Sequence, residues 1–251
     1  MTFTIVIILI VTLVILAIAV NAIQQHKQRV DLERRQTLHR YRLMLDGTED
    51  MIAAASNFPV GKGVLLMLYK RAVEALQGML KVSPSNELKQ RLSDYEERLK
   101  NTDPNDQTLL SERIDLPEND KQIIAMINAV KKLRTTLRQE HSRGKVDTQL
   151  YLAEERRLVK IQVTINVESL VRRGGNAYKS GMLGSARQYY EKAMKTLQDQ
   201  PFSDDYITNK QAFLSQELSM ITEELRDTNA RDAREKKQDD IEELFQPKKK
   251  W

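Results

Sequence analysis

Apolar residues are continuous at the start of this chain and periodic everywhere after it. From Phe3 to Val20 nothing is more polar than Thr4 and Thr12. Carried on to Ile23, the run has about 21 residues, roughly 31 Å of helix, enough to cross a bilayer's hydrocarbon core. The pattern predicts a single transmembrane anchor over residues 1–23. Lys27, Arg29, Arg34, Arg35, Arg40 and Arg42 follow the run against only Asp31 and Glu33. That imbalance predicts a single-pass membrane protein with its N-terminus outside and its body cytoplasmic. A cleaved signal peptide is the competing reading, with small residues at Ala17, Ala19 and Ala22. It would need a basic leading region and a shorter apolar core, so the anchor is preferred. Lys27, Arg29, Arg34 and Arg35 would then lie at an anionic bilayer surface, each adding about 1 kcal/mol to membrane attachment.

Past the run, the spacing of apolar residues predicts an all-α body. Residues 24–56 read as a juxtamembrane helix in which Leu38, Leu45 and Ile52 recur every seven residues, with Tyr41, Thr48 and Ala55 at companion positions. This short coiled-coil-like seam serves either a helix packed in its own domain or a homodimer stalk. A break at Asn57–Gly63 opens a helical hairpin over residues 57–100. Its first helix carries Leu65, Leu68, Ala72, Ala75, Leu76 and Met79 to about Val82. Its second is signalled by Ser83-Pro84 and carries Leu88, Leu92, Tyr95 and Leu99. Residues 101–119, acidic and holding Pro104 and Pro117, form a linker or crossover loop. A helical domain over residues 120–226 follows. One helix starts near Pro117 and reaches Ser142, a second runs from about Asp147 towards Tyr178, and the last runs from Asp204 to Arg226 behind a Ser203 cap. Residues 227–251 are mostly charge and read as a mobile tail. Within it Ile241, Leu244 and Phe245 share one side if the segment coils, and with Trp251 they form a candidate partner-binding segment.

Composition narrows the chemistry. Charged residues make up 30% and aromatics 6% of 251 residues, with nine Gly and six Pro, a helical balance. Cysteine is absent, so no disulfide or thiolate metal site is available. The net charge of +5 lacks a concentrated basic stripe with stacking aromatics, which argues against nucleic acid as partner. His26, His39 and His141 lack metal-binding spacing, and Gly61-Lys62-Gly63 lacks both the leading Gly and the trailing hydroxyl of a phosphate loop. Paired carboxylates such as Glu154-Glu155 lie among basic residues and suit a solvated face better than acid–base catalysis. No catalytic, cofactor or metal residue is predicted, and an enzyme is not expected.

Leu170 to Leu197, LVRRGGNAYKSGMLGSARQYYEKAMKTL, resembles a tetratricopeptide repeat, a helix–turn–helix unit with small residues where its helices cross. Placing Ala186 on the small residue of the second helix puts Gly174 on the first-helix glycine and Gly181 on the turn glycine. Tyr190 then takes the second-helix aromatic position, and Ala193 the second small one. Arg173 stands where the family usually has Leu. The resemblance implies that the inner face of the first helix, Val171, Gly175, Tyr178 and Lys179, contacts a peptide. The function expected is therefore a membrane-anchored adaptor or scaffold that binds an unidentified protein. The alternatives are a membrane-linked nucleic-acid binder and a structural dimer or spacer built on the juxtamembrane helix.

Overall fold

The computed structural model describes residues 2–103, 108–111 and 114–245, of which 2–20, 232 and 235–245 are described by backbone alone. Seven helices account for nearly all of the described residues: α1 (Thr2–Ala55), α2 (Lys62–Val82), α3 (Asn86–Asn101), α4 (Asp120–Ser142), α5 (Thr148–Lys179), α6 (Leu183–Gln198) and α7 (Asp205–Phe245). They divide into two compact units. The first holds residues 1–112 and 136–154, and the second holds 113–135 and 155–251, so that α4 and α5 each contribute to both.

Among the described residues no helix is long and apolar enough to cross a membrane. The expected transmembrane anchor is corrected accordingly, and with it the single-pass placement and the outside-to-cytoplasm orientation. The apolar run is not a helix of its own. It belongs to the 54-residue α1, whose side chains are described from Asn21 onward. From there to Gln36 every residue is exposed, Lys27, Arg29, Arg34 and Arg35 among them. The side chains before Asn21 lie outside the description.

In the first unit the seven-residue seam of α1 is spent on α2. Leu45 is buried with Ala72, Ala75, Leu76 and Met79, and Leu38 and Tyr41 pack beside them. Thr48 reaches the buried face by donating its hydroxyl to the Met44 carbonyl at 2.6 Å, which satisfies its polar atom inside the helix. At Gly78 the Tyr41 ring lies directly on the α2 backbone, for an added Cβ would lie nearer that ring than real Cβ atoms come. Helix α3 lays Leu88, Leu92 and Tyr95 over the same cluster. It is tied to α1 by Glu49, which accepts from Arg91 at 2.6 Å and from the Tyr95 hydroxyl at 2.9 Å. Burial, then the Glu49 bond, pushes the Tyr95 phenol up to about 12.

The sequence-stretch Gly61-Lys62-Gly63 has a structural use. Gly61 is the N-cap of α2 and offers no side chain to the orphan N–H groups there. Glu154 of α5, 1% exposed, supplies the acceptor instead, taking the Gly61 N–H at 3.1 Å. A carboxylate thus occupies the site that an anionic ligand would take at a helix N-terminus. The segment expected as linker is pinned here too: Leu110 donates to the Val60 carbonyl at 2.9 Å and Lys62 to that of Thr108 at 3.3 Å.

Helix α2 starts at Lys62, two residues before the Val64 expected, whereas α3, α4 and α7 start one to three residues later than the sequence suggests. Ser85 caps α3 through the Leu88 N–H at 3.3 Å, not Ser83 before its proline. Asn119 caps α4 through the Lys121 N–H at 2.9 Å, and Asp204 caps α7 through the Ile207 N–H at 2.9 Å. In each case the cap is the residue whose side-chain oxygen reaches back to an orphan N–H. Beyond Asp227, where a mobile tail was expected, the backbone of α7 stays helical to Phe245. The side chains of Ile241, Leu244 and Phe245 lie outside the description, as does Trp251 altogether.

Candidate protein-binding site

The second unit is organised by the crossing of α5 and α6. Gly174 lies under the ring of Tyr190, and a Cβ there would meet that ring at 2.5 Å. Tyr190 is 3% exposed, and Ala186 and Ala193, fully buried, line the same side of α6. Small side chains let the helix backbones approach while one large ring fills the space beside them. The turn between the helices carries Gly181 at φ +73°, a left-handed conformation that favours glycine.

Helix α7 is the third member of this row. Its Ile207, Leu214 and Ile221 repeat every seven residues and join the α5 and α6 residues in one core. Polar pairs then fix its direction. Lys160 of α5 bonds Asp204 at 2.6 Å, and Glu168 takes the Tyr206 hydroxyl at 2.9 Å and Lys210 at 2.7 Å. Tyr178 donates to Glu224 at 3.0 Å. Both partners ascend in number along these pairs, so α5 and α7 run parallel with α6 antiparallel to both. Arg173, the departure from the repeat pattern, reaches Asp120 at the start of α4 at 3.0 Å. Its neighbour Arg172 donates to the Pro117 carbonyl at 2.7 Å.

These pairs perturb the groups that make them. Burial first, then the charge of Glu168, raises the Tyr206 phenol well above its ordinary range. Burial and then Glu217 raise that of Tyr190. Burial alone would lift the Asp204 carboxyl, but bonds from Lys160 and the Ile207 N–H outweigh it and hold the group below the usual carboxylate value.

The residues expected to meet a peptide separate into two kinds. Val171 packs against the core, and Gly175 is half-buried near the Tyr190 hydroxyl. Tyr178, 39% exposed, and Lys179, the last residue of α5, face outward. Through its bond to Glu224, Tyr178 brings the end of α5 onto the middle of α7. There Met220, 44% exposed, stands on an open strip of α7 with Glu223, Glu224, Asp227, Thr228 and Arg231. Sequence reading missed this strip because its residues look like an ordinary solvated face. The spacing of 220, 223, 224, 227, 228 and 231 along one side of a helix was the available signal.

The arrangement defines a class, an all-helical protein whose second unit packs a helical hairpin beside a third, parallel helix. No protein-family model, characterised protein or solved structure matches the chain.

Proposed function

We propose that this chain is a protein-binding adaptor, and that the surface shared by the end of α5 and the middle of α7 receives a segment of the partner. The observation that carries this reading is the parallel placement of α5 and α7, bonded directly to each other, with α6 packed antiparallel against both. It is the arrangement expected when a tetratricopeptide-like hairpin is followed by the first helix of the next unit, and it supports the finer, repeat-like reading of residues 170–197. In such a row the parallel first helices line the peptide-contacting face. The chemistry of this face favours a segment with basic residues around an apolar one. Glu223, Glu224 and Asp227 outnumber Arg231 beside the exposed Met220, and complementary charge would steer and orient such a partner.

The test is charge reversal. Glu223→Lys with Asp227→Lys should leave the melting temperature within a degree or two of the parent, since both side chains are exposed. Proteins that co-purify with the parent should be lost. Unchanged recovery of every partner, with both charges reversed, would remove this face from the account.

A further inference from the structure

A second site lies in the first unit, in a cleft of about 410 Å³ lined by Met67, Lys70, Arg71, Glu74, Glu140 and Lys145. Glu140 is its centre. It sits near the C-terminus of α4, where the helix dipole disfavours a negative charge, and it is 2% exposed. Arg71 of α2 pairs with it directly, and Arg143 approaches at 3.2 Å and Lys145 at 3.8 Å. This is more cationic charge than one carboxylate needs. Among the described residues Glu74 is the only other acid lining the cleft, and it shares Lys145. Among the described residues three cations line the cleft, Lys70, Arg71 and Lys145, against these two carboxylates, leaving one positive charge in excess there, and Arg143 adds a further cation beside Glu140.

Two details point that excess at a ligand. Lys70 is exposed at the cleft and has no hydrogen-bond or ion-pair partner among the described residues. Arg71 Nε is buried with no acceptor among the described residues, so Glu140 leaves the guanidinium unsaturated. A buried donor without a partner is rare enough to need an explanation, and an unseen water or ion is among the usual ones. Met67, 5% exposed, adds an apolar wall. We infer that this cleft binds an oxyanion, a carboxylate or phosphate group on a short apolar stem, with Lys70, Arg71 and Lys145 taking the charge and Met67 the stem. The exposed Lys145–Glu74 pair is the part of the network that can open to admit it.

The test uses the full chain with its methionine methyls labelled for NMR. Inorganic phosphate and butyrate are the probes, each added at constant ionic strength against chloride. The Met67 methyl resonance, identified by its loss in Met67→Leu, should move saturably with one or both. Lys70→Ala should weaken that binding about fivefold, the worth of one exposed charge pair. Lys192→Ala, an exposed lysine on α6, should leave it unchanged. Response to phosphate alone assigns a phosphate ligand, to butyrate alone a carboxylate, and to both a site that reads charge before shape. A Met67 resonance that stays still with both probes overturns the inference, as does binding equally tight in Lys70→Ala. The charges would then serve only to clamp the α4–α5 turn on α2.

Discussion

Two tyrosine rings each lie on a glycine of a neighbouring helix, Tyr41 on Gly78 in the first unit and Tyr190 on Gly174 in the second. The contact is the same, and what is built on it differs. Over the Tyr41 crossing α3 lays Leu88, Leu92 and Tyr95 and closes the cluster. Beside the Tyr190 crossing α7 joins in parallel, buries Ile207, Leu214 and Ile221, and turns Met220 and its acids outward. One close approach thus ends in a core, while the other sets up a row of helices with a surface left over. Close packing of helices therefore does not by itself single out a surface; the proposed binding region rests on the polar pairs and the exposed strip beside the second crossing.

The largest effect should come from filling the glycines. A Val at either position gains a few tenths of a kcal/mol of helix propensity but overpacks a ring, at a cost of about 1–3 kcal/mol. Gly78→Val and Gly174→Val should both lower the midpoint of chemical unfolding, and hydrogen exchange should place the first loss in α1–α3 and the second in α5–α7. Loss spread evenly over both regions would mean that the two units unfold as one.

A smaller effect separates the units by pH. Tyr95 and Tyr206 each donate to a glutamate, and both phenols are raised above their unfolded value of about 10. Their contribution to stability is therefore complete below about pH 10 and is lost as pH rises through the folded values. Tyr95, raised to about 12, exhausts its share first. Melting temperature should fall above pH 10, less steeply in Tyr95→Phe and in Tyr206→Phe; a fall as steep in both variants as in the parent would exclude these two phenols as its source. The smallest effect has the opposite sign. Gly184, on α6, has open space around its Cβ position, so Gly184→Ala should stabilise the second unit by about 0.4–1 kcal/mol in the same denaturant series.

Much of this comparison was legible in the sequence, unevenly. Gly174, Ala186, Tyr190 and Ala193 could be placed because a repeat spacing ties them together. Gly78 could not, since a lone glycine in the stripe of Ala72, Ala75 and Met79 reads as one more small residue until a ring is seen over it. The heptad seam of α1 was visible, but only packing shows that α2 fills it. Caps slipped where several candidates stand in a row, as at Ser83-Pro-Ser85 and Ser203-Asp204, because the choice depends on which oxygen reaches an N–H. The membrane anchor was inferred from one apolar run treated alone, whereas the run belongs to a much longer helix that is exposed and charged from Lys27 to Arg35. Glu140 gave no signal, and Glu154, read with Glu155 as part of a solvated face, is instead buried. Their partners, Arg71 and Gly61, lie 69 and 93 residues away.

The central claim is that the α5–α7 surface, and not the back of the hairpin, meets another protein. Site-specific photocrosslinking in cells tests it most directly, with a photoreactive residue at Met220 in one protein and at Gln188, exposed on α6, in another. The account predicts a discrete adduct from position 220 that disappears when Glu223 and Asp227 are reversed to lysine, and none from position 188. Adducts of equal yield from both positions, or an adduct from 188 alone, would contradict it.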